Sequence, residues 1–197
     1  MSGSISGSMS ASLLTPPALE PVSVTEAKAF LRVEHDDDDA LIGDLIASAR
    51  THVESLTRRA LIAQTWRLTF DAWPRGGRIV VTPCPVIELE AARVLDADGT
   101  PAAIDPQSFV LNAEASAFVF PLWSMPIPGR TVAGIELDVV CGYGNAADEV
   151  PQPLRMAIRL RAAHWYEHRG VVATEGGVQE MPANVAALVA PYRVLSL

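Results

Sequence analysis

Residues 36–59 read DDDDALIGDLIASARTHVESLTRR, and the spacing inside this stretch decides how the rest of the chain is read. Leu41, Ile42, Leu45, Ile46, Ala49, Val53 and Leu56 recur at intervals of three and four, which gathers them on one face of a long helix. The aspartates at its start and Arg58 and Arg59 at its end both complement the helix macrodipole. One of Asp37, Asp38 and Asp39 is expected to cap the free N–H groups of the first turn.

On the N-terminal side, Ser23-Val24-Thr25-Glu26 has the S-x-x-E form of a capping box. It opens a short helix with Ala27, Phe30 and Leu31 toward a core. Residues 32–35 then make a polar joint, so the two helices form a hairpin-like pair. Residues 1–22 begin Ser/Gly-rich and continue into prolines; they are expected to form a flexible N-terminal arm, or one that orders against a neighbouring subunit.

On the C-terminal side the period changes to two. Trp66, Leu68 and Phe70 alternate with Thr65, Arg67 and Thr69, which predicts a half-buried strand. Further strands are expected over residues 78–81, 87–95, 108–111, 117–120 and 135–140, with Asp96-Ala97-Asp98-Gly99 as a hairpin turn. Helix returns after Pro151 and runs to about Arg169, with Leu154, Ala157, Ile158, Arg161, Ala162 and Trp165 on one side. This helix is basic where the 36–59 helix is acidic, so the two are expected to pack with their charges complementing at the rims. A last helix, 182–190, stops at Pro191. The expected fold class is therefore α+β: a helical module from residues 23–60 and 150–197, with an inserted antiparallel β domain over 61–149.

Composition narrows the function. The chain has 197 residues, 49% of them hydrophobic and 19% charged, which is the balance of a globular protein with a real core. Its net charge of −8 argues against general nucleic-acid binding, because phosphate affinity needs clustered Lys and Arg. Cys84 and Cys141 have no CxxC partner and are expected to be buried free thiols. No signal peptide and no membrane span is read, so the default is a cytoplasmic product.

Several stretches invite a catalytic reading. His164-Trp165-Tyr166-Glu167-His168 has the H-x-x-E-H form of inverted zinc peptidases, but a zinc site needs a third protein ligand, and nothing in the sequence fixes His35 or His52 in that place. The aspartate run lacks the D-x-D-x-D-G spacing of a calcium loop. Gly142-Tyr143-Gly144 is followed by acidic residues and has neither a dinucleotide fingerprint nor a Walker lysine, so it reads as a turn. No nucleophile elbow occurs. The expectation is a protein with no enzymatic activity, no cofactor and no metal, working through interfaces. Trp165-Tyr166 and Tyr192-Arg193 are the residue types that anchor interfaces.

The order of these motifs resembles the tailed-phage head–tail connector (adaptor) family, in the long form found in transducing phages and bacterial gene transfer agents. The resemblance rests on Glu26-Ala27-Lys28 with Leu31-Arg32, the Asp-rich joint, and Thr57-Arg58-Arg59-Ala60-Leu61. It continues through Gln64-Thr65-Trp66, Gly142-Tyr143-Gly144, Val150-Pro151 and Pro153-Leu154-Arg155, then Ala163-His164-Trp165-Tyr166-Glu167, and ends at Ala190-Pro191-Tyr192-Arg193. It implies a structural subunit of the virion neck, made in the host cytoplasm. A homo-oligomeric ring, typically twelve copies, would sit between the portal protein and a stopper or tail-terminator protein and extend the DNA channel. DNA would pass through the lumen without specific binding, and no membrane is involved. The expected portal contact is the C-terminal segment, Tyr192, Arg193, Val194, Leu195 and Leu197. The alternatives are a stopper or tail-completion protein of the same neck, and a zinc hydrolase using His164, Glu167 and His168.

Overall fold

The computed structural model describes residues 9–168 and 183–194. The chain divides into two compact units, one of residues 1–17 with 63–142 and the other of residues 18–62 with 143–197. No described helix is long and apolar enough to cross a membrane.

The second unit is helical. α1 (Val24–Leu31) starts at Ser23, whose hydroxyl accepts from the Glu26 N–H at 3.2 Å, while the Glu26 carboxylate accepts from the Ser23 N–H at 2.9 Å. The capping box thus forms as the local sequence dictates. α1 ends at Arg32 and α2 (Asp39–Thr57) ends at Arg58, each in the left-handed conformation with its N–H returned to the last turn. α2 buries Ile42, Ile46, Ala49 and Val53 of the stripe that the 36–59 spacing predicts, with Leu45 and Leu56 partly buried beside them; Leu41 is exposed, and Thr57, which the spacing does not mark, is buried as well. α3 (Gln152–Glu167) sets Leu154, Ala157, Ile158 and Ala162 into the same core, and α4 (Ala183–Val189) adds Val185 and Val189. At ~25 cal/mol per Å² of apolar surface, these faces, not the rim charges, hold the unit together.

The first unit is β. Its five-stranded antiparallel sheet has the order β1–β2–β8–β4–β5, from β1 (Met9–Thr15), β2 (Gln64–Phe70), β8 (Ile135–Cys141), β4 (Val86–Leu95) and β5 (Pro101–Ile104). A second sheet has the order β3–β7–β6, from β3 (Arg78–Val80), β7 (Ala117–Val119) and β6 (Val110–Asn112). Leu68, Phe70, Ile135, Leu137 and Val139 fill the buried side of the large sheet. Phe109, Phe118, Phe120 and Trp73 cluster, with ring centroids between 5.1 and 6.4 Å apart.

Three features differ from the sequence expectation. Residues 9–15, expected to belong to a flexible arm over 1–22, form β1, and Val22 is buried in the helical core. Every side chain of β1 is exposed, so what orders it is the backbone ladder to β2, a term that hydrophobic patterning cannot register. β5 was not expected either, because four short residues starting with proline carry no alternation. Finally, α2 has Asp38 as its N-cap residue without a side-chain cap bond; that carboxylate instead accepts from the Tyr166 hydroxyl on α3.

Candidate functional site

The C-terminal segment emerges from α4 through a 3₁₀ turn, Ala190–Tyr192, with Pro191 at its start. Tyr192 packs half-buried against the helical core, and its carbonyl accepts from Arg59 Nε at 2.7 Å. The Val194 N–H donates to the Thr57 carbonyl at 3.0 Å. The segment is therefore clamped to the end of α2 by the two residues that follow and precede the left-handed Arg58. Arg193 is exposed between these two anchors. Of the five expected contact residues, Tyr192 spends its ring on its own subunit, and Val194 is half-buried and tied down by its backbone. Arg193 alone among the described ones presents its side chain outward. Leu195 and Leu197 lie outside the described residues.

The aspartate run is taken apart by the fold. Lys28 Nζ reaches Asp36 at 2.5 Å and Asp39 at 2.7 Å, while Asp38 binds Tyr166. Three of the four acids therefore staple α1, α2 and α3, and Asp37 points to solvent with a side chain that is 95% exposed. Asp36 is held below the usual carboxylate range chiefly by its hydrogen bond from Lys28. Glu26 plays a similar double part: it completes the capping box and pairs with Arg155 at 2.8 Å and Arg159 at 2.9 Å. The basic side of α3 thus answers the first turn of α1, where the sequence suggested the acidic rim of α2. Arg161 is buried with no ionic partner among the described residues, and its guanidinium lies 4.5 Å from the centre of the Trp165 ring.

The His164–His168 pair does not converge on a site. The rings stack at 4.4 Å, and Nδ1 of His168 is engaged by the His164 carbonyl at 2.7 Å. Burial, with the neighbouring His168 and Arg161, lowers the His164 pKa. No group of three or more potential metal donors occurs among the described residues. At Gly144, the space a side chain would need is filled by the Glu149 carboxylate, which accepts from the Ala146 N–H at 2.7 Å. A carboxylate in that place makes the turn unfit as a phosphate cradle. Cys84 and Cys141 are free and buried, and burial pushes the Cys141 thiol up to about 12.

Two exposed features went unread in the sequence. One is the loop after β7, where Trp123 and Ile127 are each 89% exposed. Its base is held by Trp73 Nε1 donating to the Pro126 carbonyl at 2.8 Å and by the buried Met125. The other is the pair of outer strands of the large sheet. Proline spacing around Trp123 was the available signal for the first; nothing local signals the second.

Residues 21–86 match the family model described as phage gp6-like head-tail connector protein. The likeness extends over nearly the whole chain. A chain in the neck of an empty gene transfer agent (GTA) particle, computed with C6 symmetry, superposes with a TM-score of 0.78 at 24% identity, covering 95% of this chain and 97% of that one. The chain has the fold of that neck chain. A chain in the virion of a native GTA particle matches with a TM-score of 0.77 at 26% identity over 95% and 96% of the two chains. One in the neck of a native GTA particle, computed with C12 symmetry, gives 0.70 at 24% over 95% and 97%. The comparison with curated proteins gives no match. In connector terms, the matched residues run from the end of the arm through α1, α2, β2 and β3 into the first residue of β4. The H-x-x-E-H stretch, residues 164–168, lies outside the segment that the family model matches.

Proposed function

We propose that this chain is the structural adaptor subunit of a phage or GTA-like particle, assembled as a ring at the head–tail junction. The observation that carries the reading is the likeness to neck chains, with 95% of this chain covered and both units included. The acidic composition agrees with it: a wall carrying net charge −8 lets a polyanion slide where a basic wall would hold it. In this reading the role is structural, in keeping with the likeness to chains of GTA particles.

In this reading the ring sits between the portal protein and a stopper or tail-terminator protein. The C12 symmetry of the native GTA neck supports twelve copies. The portal contact is assigned to the C-terminal segment, with Arg193 projecting from an anchored base and Leu195 and Leu197 following it. A modest contact repeated around a ring gains strongly from avidity. Deleting the gene should leave DNA-filled heads without tails. Imaging of complete particles should find the chain against the portal; density one layer lower, touching the adaptor but not the portal, would make it the stopper instead. Normal tail joining in the deletion strain would overturn the reading.

A further inference from the structure

The five-stranded sheet puts its charges in the wrong place for a sheet that ends in water. Natural edge strands are defended by lysine, proline, inward charges or bulges, because their unpaired N–H and C=O groups recruit other strands. Here the inner strands carry the charge: Arg67 on β2, Glu136 and Asp138 on β8, and Glu88, Glu90 and Arg93 on β4. The two edge strands, MSASLLT in β1 and PAAI in β5, carry none, and of the other defences β5 has only Pro101 at its first residue, which leaves residues 102–104 their N–H groups. All seven residues of β1 are exposed, as are Pro101, Ala102 and Ala103 of β5. Among the described residues no strand pairs with the outer side of either. The single bulge of β1 falls at its last residues, between Leu13 and Thr15, and leaves residues 9–13 a regular ladder.

Topology says what fits those edges. Each neighbour in the sheet is antiparallel to the last, so β1 and β5, at positions one and five, run in the same direction. A rotation about an axis along the strands therefore brings β5 of one copy beside β1 of the next, parallel and repeatable. A head-to-tail contact of this kind builds a ring when its rotation closes, whereas β1 against β1 across a twofold axis stops at a dimer. Ser12 and Ala103 lie on one face of the sheet, since Ser12 registers with Arg67 and Ala103 with Arg93, both bonded to Asp138.

We infer that adjacent copies join by β-augmentation, the uncharged β1 edge of one subunit pairing in parallel with the uncharged β5 edge of the next. This rests on the ring proposed above and identifies the surface that builds it.

The test uses the full chain with Ser12→Cys and Ala103→Cys, in solution and in purified particles, treated with a short bis-maleimide that tolerates small register offsets. The expected result is a ladder of covalent multimers with both cysteines and none with either alone. A double variant that is present in particle necks yet stays a single-chain band overturns the inference; so does a dimer from Ser12→Cys alone. A ladder in solution from a chain absent from necks would instead overturn the adaptor reading and leave edge pairing standing. A chain that does neither sinks both. As a second arm, Ser12→Lys with Ala103→Lys should abolish assembly, and Ser12→Lys with Ala103→Glu should restore it, with thermal melting confirming that each chain is folded. Wild-type assembly by the Lys/Lys chain would also overturn the inference.

Discussion

Arg59 Nε donates to the carbonyl of Tyr192 at 2.7 Å, across 133 residues of sequence, and so fixes the exit of the C-terminal segment to the end of α2. The residue before the clamp, Arg58, is left-handed, which turns the chain sharply enough to aim Arg59 back at α4's continuation. Breaking a hydrogen bond to a charged group typically costs about 1.5–3 kcal/mol. Arg59→Ala should lower the stability of the helical unit by that order and raise amide exchange at Arg193 and Val194, read by hydrogen-exchange mass spectrometry. Under the adaptor reading it should also reduce tail joining.

Tyr192 and Arg193 should separate cleanly. Tyr192 packs on the helical core, so Tyr192→Ala should destabilise the isolated chain, by up to the ~3–5 kcal/mol of a large aromatic truncation and less for its partial burial. Arg193 is exposed, so Arg193→Glu should stay within about 0.5 kcal/mol of wild type. If the portal contact is placed correctly, Arg193→Glu lowers the yield of tailed particles while the melting curve is unchanged.

Asp138 supports a pH prediction. Burial raises its pKa, but the hydrogen bonds from Arg67 at 2.7 Å and Arg93 at 2.6 Å outweigh that, and the net shift is downward from 3.8. A carboxylate depressed in the folded state contributes stability in full above its unfolded pKa and loses it as pH falls through the folded value. Asp138→Asn should therefore cost about 1–3 kcal/mol at pH 7, by leaving two guanidinium groups short of an acceptor. The gap between variant and wild type should narrow below pH 4, measured as melting temperature against pH.

The Cys141 thiol, pushed up to about 12 by burial, is neither exposed nor ionised at ordinary pH. Maleimide at pH 7–8 should leave both native cysteines unlabelled and modify them only as the chain unfolds, as intact-mass measurement would register. Labelling at the rate of a free thiol would contradict the packing of the β unit.

Chelators give a further check on the H-x-x-E-H stretch. With His164 and His168 stacked and no third donor grouped with them among the described residues, EDTA should not shift the melting temperature. His168→Gln should leave assembly intact. Stoichiometric zinc in the purified chain would reverse the assignment.

What the amino-acid order determined is local. The α2 stripe, the Ser23–Glu26 capping box and the alternation of β8 are each set by residues within one or two turns or one strand, so periodicity and capping chemistry expose them directly. The end of α2 at Thr57 and the return of helix at Gln152 were legible for the same reason. Tertiary structure alone decided the rest. The carboxylates of the aspartate run found Lys28 and Tyr166, Tyr192 was drawn onto the core, and β1 was ordered by a ladder to residues about 50 to 60 positions away. None of these has a local signature, because each depends on which backbone and side-chain groups lie opposite once the chain has folded. The two uncharged edges belong to this class: their sequences look like ordinary loop, and only the strand order makes them edges.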